Sequence, residues 1–304
     1  MNSAAVNKEK NQLPGVGRTL LVILLHPGLF FRGIRCIWTI LNKFFIFQYR
    51  SVLFPGIPVS RVDHSLDECI PFNPGFVRIY LDFTAFWIRI AGFLCIGCGK
   101  TGKKLAAGFI TSVTNLYTFA FQIYRNNLST TARPLYKKGF HFKLIHLLDP
   151  HLMCVPSLHV MLMVHSYTAF RYYTQKLGEE ETLHKLAEKV FAGAMAIIEA
   201  VMYVKQHSVN CIAAALYTMN CFDPELFNNA GAERIIFKLF NTGESADIPP
   251  EYAPYYREPF VDPDDSAKIR DHILNLYRKF TEANNADWTR PILEYLKTLP
   301  LNNQ

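Results

Sequence analysis

Residues 152–170 read LMCVPSLHVMLMVHSYTAF, with no charged side chain in the run. A stretch this long and apolar is far beyond an ordinary strand and close to the roughly 20 residues that a helix needs to cross about 30 Å of hydrocarbon. Working outward, four more windows have the same character. Leu105–Tyr124 is uncharged, Val190–Val204 contains only Glu199, and Asn210–Phe222 is short but uncharged and extends backward to Lys205. Residues 77–98 are apolar with Arg78, Asp82 and Arg89 embedded, and Arg78 and Asp82 are spaced to pair on one helical face. The block Thr19–Tyr49, broken by His26-Pro27-Gly28, is long enough for a tilted span plus an interfacial helix and reads as an anchor, with no small-residue cleavage site after it. The expected fold is therefore all-α, a polytopic membrane helix bundle of about six spans with a small helical soluble tail.

Composition agrees with that division. The 304 residues are 50% apolar and 19% charged, with a mean hydropathy of +0.08. Residues 1–222 carry 23 Lys and Arg against 11 Asp and Glu, whereas residues 223–304 carry 9 against 14. Three parts follow: an N-terminal anchor and loop (1–76), a membrane core (77–222) and a helical tail (223–304). The tail shows short amphipathic stretches, Ala232–Phe240 and Ala267–Phe280, either side of the proline-rich run Ile248–Pro263. Basic residues lie between apolar blocks rather than in one stripe, which suits juxtamembrane loops and not a nucleic-acid partner. With six spans, Lys8, Lys10 and Arg18, the loop at Lys100, Lys103 and Lys104, and the loop at Arg171, Lys176, Lys185 and Lys189 share one side, which the positive-inside rule makes cytoplasmic. The tail is expected on that side.

Seven cysteines, most of them in apolar runs, build no disulfide framework. Cys95-x-x-Cys98 lacks the second pair of a zinc site, and no metal is expected. Gly97–Lys104 superficially matches a phosphate-binding loop but has Lys104 where Ser or Thr belongs and follows an apolar run instead of a strand.

Three segments emerge together at the non-cytoplasmic face of this arrangement. They are Arg125 with Arg133-Pro134, then Pro156-Ser157-Leu158-His159, and Lys205-Gln206-His207. Two imidazoles, a serine at a helix N-terminus and several fixed cations suit a phosphate ester. Phosphoryl transfer is chiefly positioning and charge neutralisation, and imidazole can act as nucleophile or proton donor near neutral pH.

These residues resemble the type 2 phosphatidic acid phosphatase superfamily. Its pattern is Lys-x6-Arg-Pro, then Pro-Ser-x-His, then Ser-Arg-x5-His-x3-Asp, and the spelling here is most similar to the inositol phosphorylceramide synthase-like branch. The resemblance covers residues 77–222. It implies that Arg133 binds phosphate, Ser157 donates a hydrogen bond to it, His159 is the general acid and His207 the nucleophile that forms a phosphohistidine, with Lys205 and Arg125 as further phosphate contacts and no cofactor. The substrate it implies is a phospholipid or sphingolipid in the bilayer, met at the extracytoplasmic (periplasmic or luminal) face. Asn126 stands where a lysine belongs, Val201 where an arginine belongs, and Cys211 where the family has the aspartate that supports the nucleophile. Either another carboxylate substitutes, with Glu199 and Asp149 as candidates, or the enzyme is slow, or the chain is an inactive relative that binds lipid or protein. A transporter using Glu199 in a proton relay is a further alternative.

Overall fold

The computed structural model describes residues 12–136, 138–241, 249–256 and 261–302, so Lys8, Lys10, Ile248 and part of the proline-rich run lie outside it. Among the described residues the chain is mostly helical, as expected. α1 (Val16–Leu25) stops at His26, and Pro27, which has no N–H to donate, opens α2 (Pro27–Ile40) as its first residue. A widened turn at Leu41–Ile46 leads into α3 (Phe47–Leu53), and α1 lies at 114° to the arm made by Pro27–Leu53. This hook and the helix Pro74–Gly97 are the described elements long and apolar enough to cross a membrane. Six such elements are not found among the described residues.

Pro74–Gly97 contains α4 (Val77–Leu81) and α5 (Phe83–Gly92). It is followed by α6 (Gly99–Tyr124), α7 (Phe140–Leu148), α8 (Leu158–Lys176), α9 (Glu180–Tyr203) and α10 (Val209–Phe222). α8 packs on α9, α10 and α5, α2 packs along α6, and α1 crosses α5. At that crossing Gly92 is required, because a Cβ there would meet Thr19 Oγ1 at 2.0 Å. Asp82 pairs not with Arg78 but with Arg89, at 3.1 Å from its Nη1, and accepts a hydrogen bond from the Tyr252 hydroxyl. A seven-residue separation puts Arg89 two helical turns on, on the same side, while Arg78 is exposed.

The segment after Phe222 forms α11 (Asn229–Lys238), α12 (Pro263–Glu282) and α13 (Arg290–Thr298). α12 lies along α10, burying Ile269, Ile273, Leu276, Tyr277 and Phe280 on its inner face. From α13 the chain returns to β1 (Val59–Arg61), which pairs in parallel with β2 (Leu128–Thr130), Val59 opposite Leu128 and Arg61 opposite Thr130. Arg61 N donates to Pro300 O and Asn302 N to Val59 O, at 2.8 and 2.7 Å. Residues from all three segments of the sequence thus share one core.

Candidate functional site

β2 sets the geometry of the site. Its Ser129 holds the strand that enters α8: Ser129 N donates to Leu152 O, Cys154 N to Ser129 O, and Val155 N to Ser129 Oγ at 2.7 Å. The Tyr124 hydroxyl, at the end of α6, bonds to Pro156 O. Ser157 then caps α8, its Oγ accepting from Val160 N at 3.4 Å, and is fully buried. A hydroxyl at this position satisfies one of the orphan amides of the first turn and leaves its own proton for another acceptor. His159 is the second residue of α8, with the Phe83 ring edge-on at 4.3 Å and the Tyr80 ring at 4.7 Å between centroids.

His207 comes from the turn between α9 and α10. His207 Nε2 lies 3.3 Å from His159 Nδ1, although the residues are 48 positions apart. Both side chains are buried. The turn is held from outside by Asp67, whose Oδ1 accepts from Val209 N at 2.9 Å and whose Oδ2 accepts from His64 N at 2.8 Å. Burial pushes the Asp67 carboxyl above its usual range, against those hydrogen bonds and the nearby Lys205.

Arg133 is mostly buried and its Nη2 meets Asp149 Oδ2 at 2.9 Å, while Nη1 donates to Asp149 O at 3.0 Å. Its Nε is buried with no partner among the described atoms. A donor left this way is costly and can be satisfied by an anion. Asp149 also accepts from His151 N at 2.9 Å. His151 is a third histidine at this site, 2.7 Å from the Thr131 hydroxyl. Burial, then the Arg133 charge, pushes it well below the ordinary histidine range, so it stands as a neutral hydrogen-bonding ring. Its only trace in the sequence is its place next to Asp149-Pro150; nothing there distinguished it from an interfacial histidine.

Beside His159 opens an apolar cavity of about 320 Å³, walled by Phe44, Phe45, Phe83, Trp87, Tyr117 and Leu148, with Asp149 and His159 at its polar end. Two walls come from the widened turn of the hook, so the N-terminal segment reaches the cavity beside His159.

Four expected residues are placed differently. Lys205 donates to the carbonyls of Asp67 and Ile70, and with φ of +54° its backbone turns the ammonium toward that loop. Arg125 is exposed at the end of α6 and takes no part in the hydrogen bonds around the pair. Glu199 accepts from Phe240 N at 2.6 Å and from the Tyr256 hydroxyl at 3.2 Å, so it ties α9 to the C-terminal segment instead of supporting His207. Asp149 belongs to Arg133. Cys211 Sγ accepts from Ser208 N at 3.4 Å, the role a Glu or Gln takes in a capping box. His207 Nδ1 is buried with no side-chain partner, and the backbone of Cys154 is the polar group that interacts with the ring. Among the described residues no cluster of His, Cys, Asp and Glu has the form of a metal site.

No protein-family model, curated protein or solved structure matches the chain.

Proposed function

We propose that the chain is a membrane-associated, metal-independent enzyme that cleaves or transfers a phosphate-containing group on a lipid through a phosphohistidine. One observation carries this reading: two imidazoles, distant in sequence, meet at 3.3 Å where an apolar cavity ends. His207 Nε2 attacks phosphorus and the bond to the leaving oxygen breaks. Burial holds His159 down at about 4, so it is the neutral ring at rest; it takes up a proton with the arriving phosphate dianion and then gives its Nδ1 proton to the leaving oxygen. His159, now neutral, takes a proton from the incoming hydroxyl, which attacks phosphorus and releases His207. If water supplies the hydroxyl the product is inorganic phosphate or its ester; if a lipid hydroxyl does, the head group is transferred. Arg133 Nε and the Ser157 hydroxyl supply the donors that neutralise the non-bridging oxygens.

The two nitrogens are closer than this chemistry needs. A phosphorus about 3 Å from the nucleophile, with its leaving oxygen within hydrogen-bonding reach of the acid, separates them by roughly 6 Å. The closed pair is the resting state, and substrate opens it by rotating one ring. The cavity takes acyl chain, and the apolar hook together with Pro74–Gly97 supplies the attachment to the bilayer. The position of α12 along α10, and the return of residues 300–302 to β1, favour this attachment over six crossings with a tail on one side.

The test is release of phosphate from a lipid phosphate monoester by purified protein, with trapping of acid-labile phosphate on the chain. Rates and labelling that are the same in His207→Ala refute it. The second reading, an inactive lipid-binding relative, is favoured by one feature, the absence of a carboxylate at His207 Nδ1, and that same experiment separates it from the first.

A further inference from the structure

α2 and α6 diverge at the bend of the hook, and between them lies an open cleft of about 730 Å³. Its lining includes His26, Arg32, Lys103, Lys104, Ser112 and Asn115, and no acidic residue. The Arg32 guanidinium is fixed on one side by a 2.8 Å bond from Nη1 to Gly28 O. Neither lysine has an ion-pair partner among the described residues, and His26 Nδ1 is buried without a hydrogen bond. Like charges are held around a space large enough for a small polar group.

The surroundings identify the class of group. Leu25, the neighbour of His26, is 75% exposed, and Phe31, the neighbour of Arg32, is 69% exposed. The apolar face continues along the arm through Ile37, Trp38 and Leu53. From residue 12 to residue 62 the chain carries Arg18, Arg32, Arg35, Lys43, Arg50 and Arg61 and no Asp or Glu. A soluble anion would use the cations and leave the leucines and phenylalanine in water. A lipid uses both. The cationic end of the cleft is remote from the histidine pair, because Lys104 and Tyr124 are about 30 Å apart along α6 at 1.5 Å per residue, and the two cavities share no lining residue.

We propose that this cleft binds the head group of an anionic phospholipid, its phosphodiester held by Arg32, Lys103 and Lys104 and its acyl chains laid on the exposed face of the hook. A phosphodiester lipid could also donate its head group at the histidine site, but none of the residues that hold it here belongs to that site, so the two readings fail separately.

Full-length protein in neutral detergent is titrated calorimetrically with dioctanoyl phosphatidylglycerol, with dioctanoyl phosphatidylcholine, and with inorganic phosphate. The glycerol lipid is expected to bind at least tenfold more tightly than the choline lipid. The triple variant R32Q/K103Q/K104Q is expected to lose about a hundredfold, since each cation near an anionic head group contributes about a factor of five. The triple variant K176Q/K185Q/K189Q, an equal loss of charge elsewhere, controls for folding and leaves binding within a few-fold of the parent, and Arg32→Lys, which keeps the charge, retains more affinity than Arg32→Gln. His207→Ala binds as the parent does. Parental affinity in the triple variant, equal affinity for the two lipids, or displacement of the lipid by millimolar phosphate overturns the proposal.

Discussion

Replacing Asp149 by Asn should make the protein less stable by itself and more responsive to phosphate. In the resting molecule the carboxylate lies 2.9 Å from Arg133 Nη2, with side chains 19% and 13% exposed. It occupies the guanidinium that the phosphate needs and repels any anion brought beside it. Two unit charges 4 Å apart interact by about 4 kcal/mol at an effective dielectric of 20, and partial exposure brings the penalty on a bound phosphate to roughly 2 kcal/mol, about thirtyfold in affinity. Leaving Arg133 without its partner costs about 2 kcal/mol, less than breaking a fully buried pair because water reaches both groups, and lowers the melting midpoint by about 3 °C. Asn retains the Oδ1 acceptor for His151 N, so the loop keeps that bond. Melting is followed with and without phosphate at a fixed pH for the parent, Asp149→Asn and Arg133→Gln. The Asn variant should start lower and gain several degrees more from phosphate than the parent, and Arg133→Gln should gain none through this site. If phosphate raises the parent and the Asn variant equally, Arg133 is not the phosphate ligand.

Cys211→Asp places a carboxylate at the third residue of α10, where it can still accept from Ser208 N and can take the proton of His207 Nδ1. Turnover is expected to rise at least tenfold, within the roughly 10⁴-fold that the corresponding aspartate contributes in a serine triad; an unchanged rate in a folded variant means that His207 is not the group being supported. The second expectation concerns acid. His272 stacks on His64 at 3.9 Å and its Nε2 is 2.8 Å from Asn210 Oδ1, and burial, then His64 and Lys279, hold it down at about 4. With an unfolded value near 6.5, the unfolded chain binds more protons between those values, so stability is full above about pH 6.5 and falls as pH drops toward 4. Half-burial reduces the loss to roughly 1–2 kcal/mol. The midpoint measured between pH 7 and 4 should fall less steeply in His272→Gln, and parallel curves refute the assignment.

Pro156-Ser157-Leu158-His159 and His207 were legible as a pair through their resemblance to a known set of motifs, and the structure brings the two imidazoles together. The all-helical class followed from the same uncharged runs. What could not be read is local backbone detail and long-range pairing. Lys205 has a left-handed backbone that turns its ammonium onto two carbonyls, and nothing in the tripeptide Lys-Gln-His signals that. Cys211 and Asp149 each found a nearer partner than the one their spacing suggested. The described helices do not confirm six crossings, because an apolar run records burial of any kind, and the amphipathic α12 covers α10 as lipid would.

The pairing of Val59–Arg61 with the far end of the polypeptide carries a kinetic consequence. The Ser60 hydroxyl bonds to Leu296 O, 236 positions later. At 5–20 residues per second a ribosome needs roughly 12–50 s to make that interval. Throughout it that edge of the early strand has no partner from its own chain, and water satisfies its N–H and C=O groups until the last helix arrives to close it.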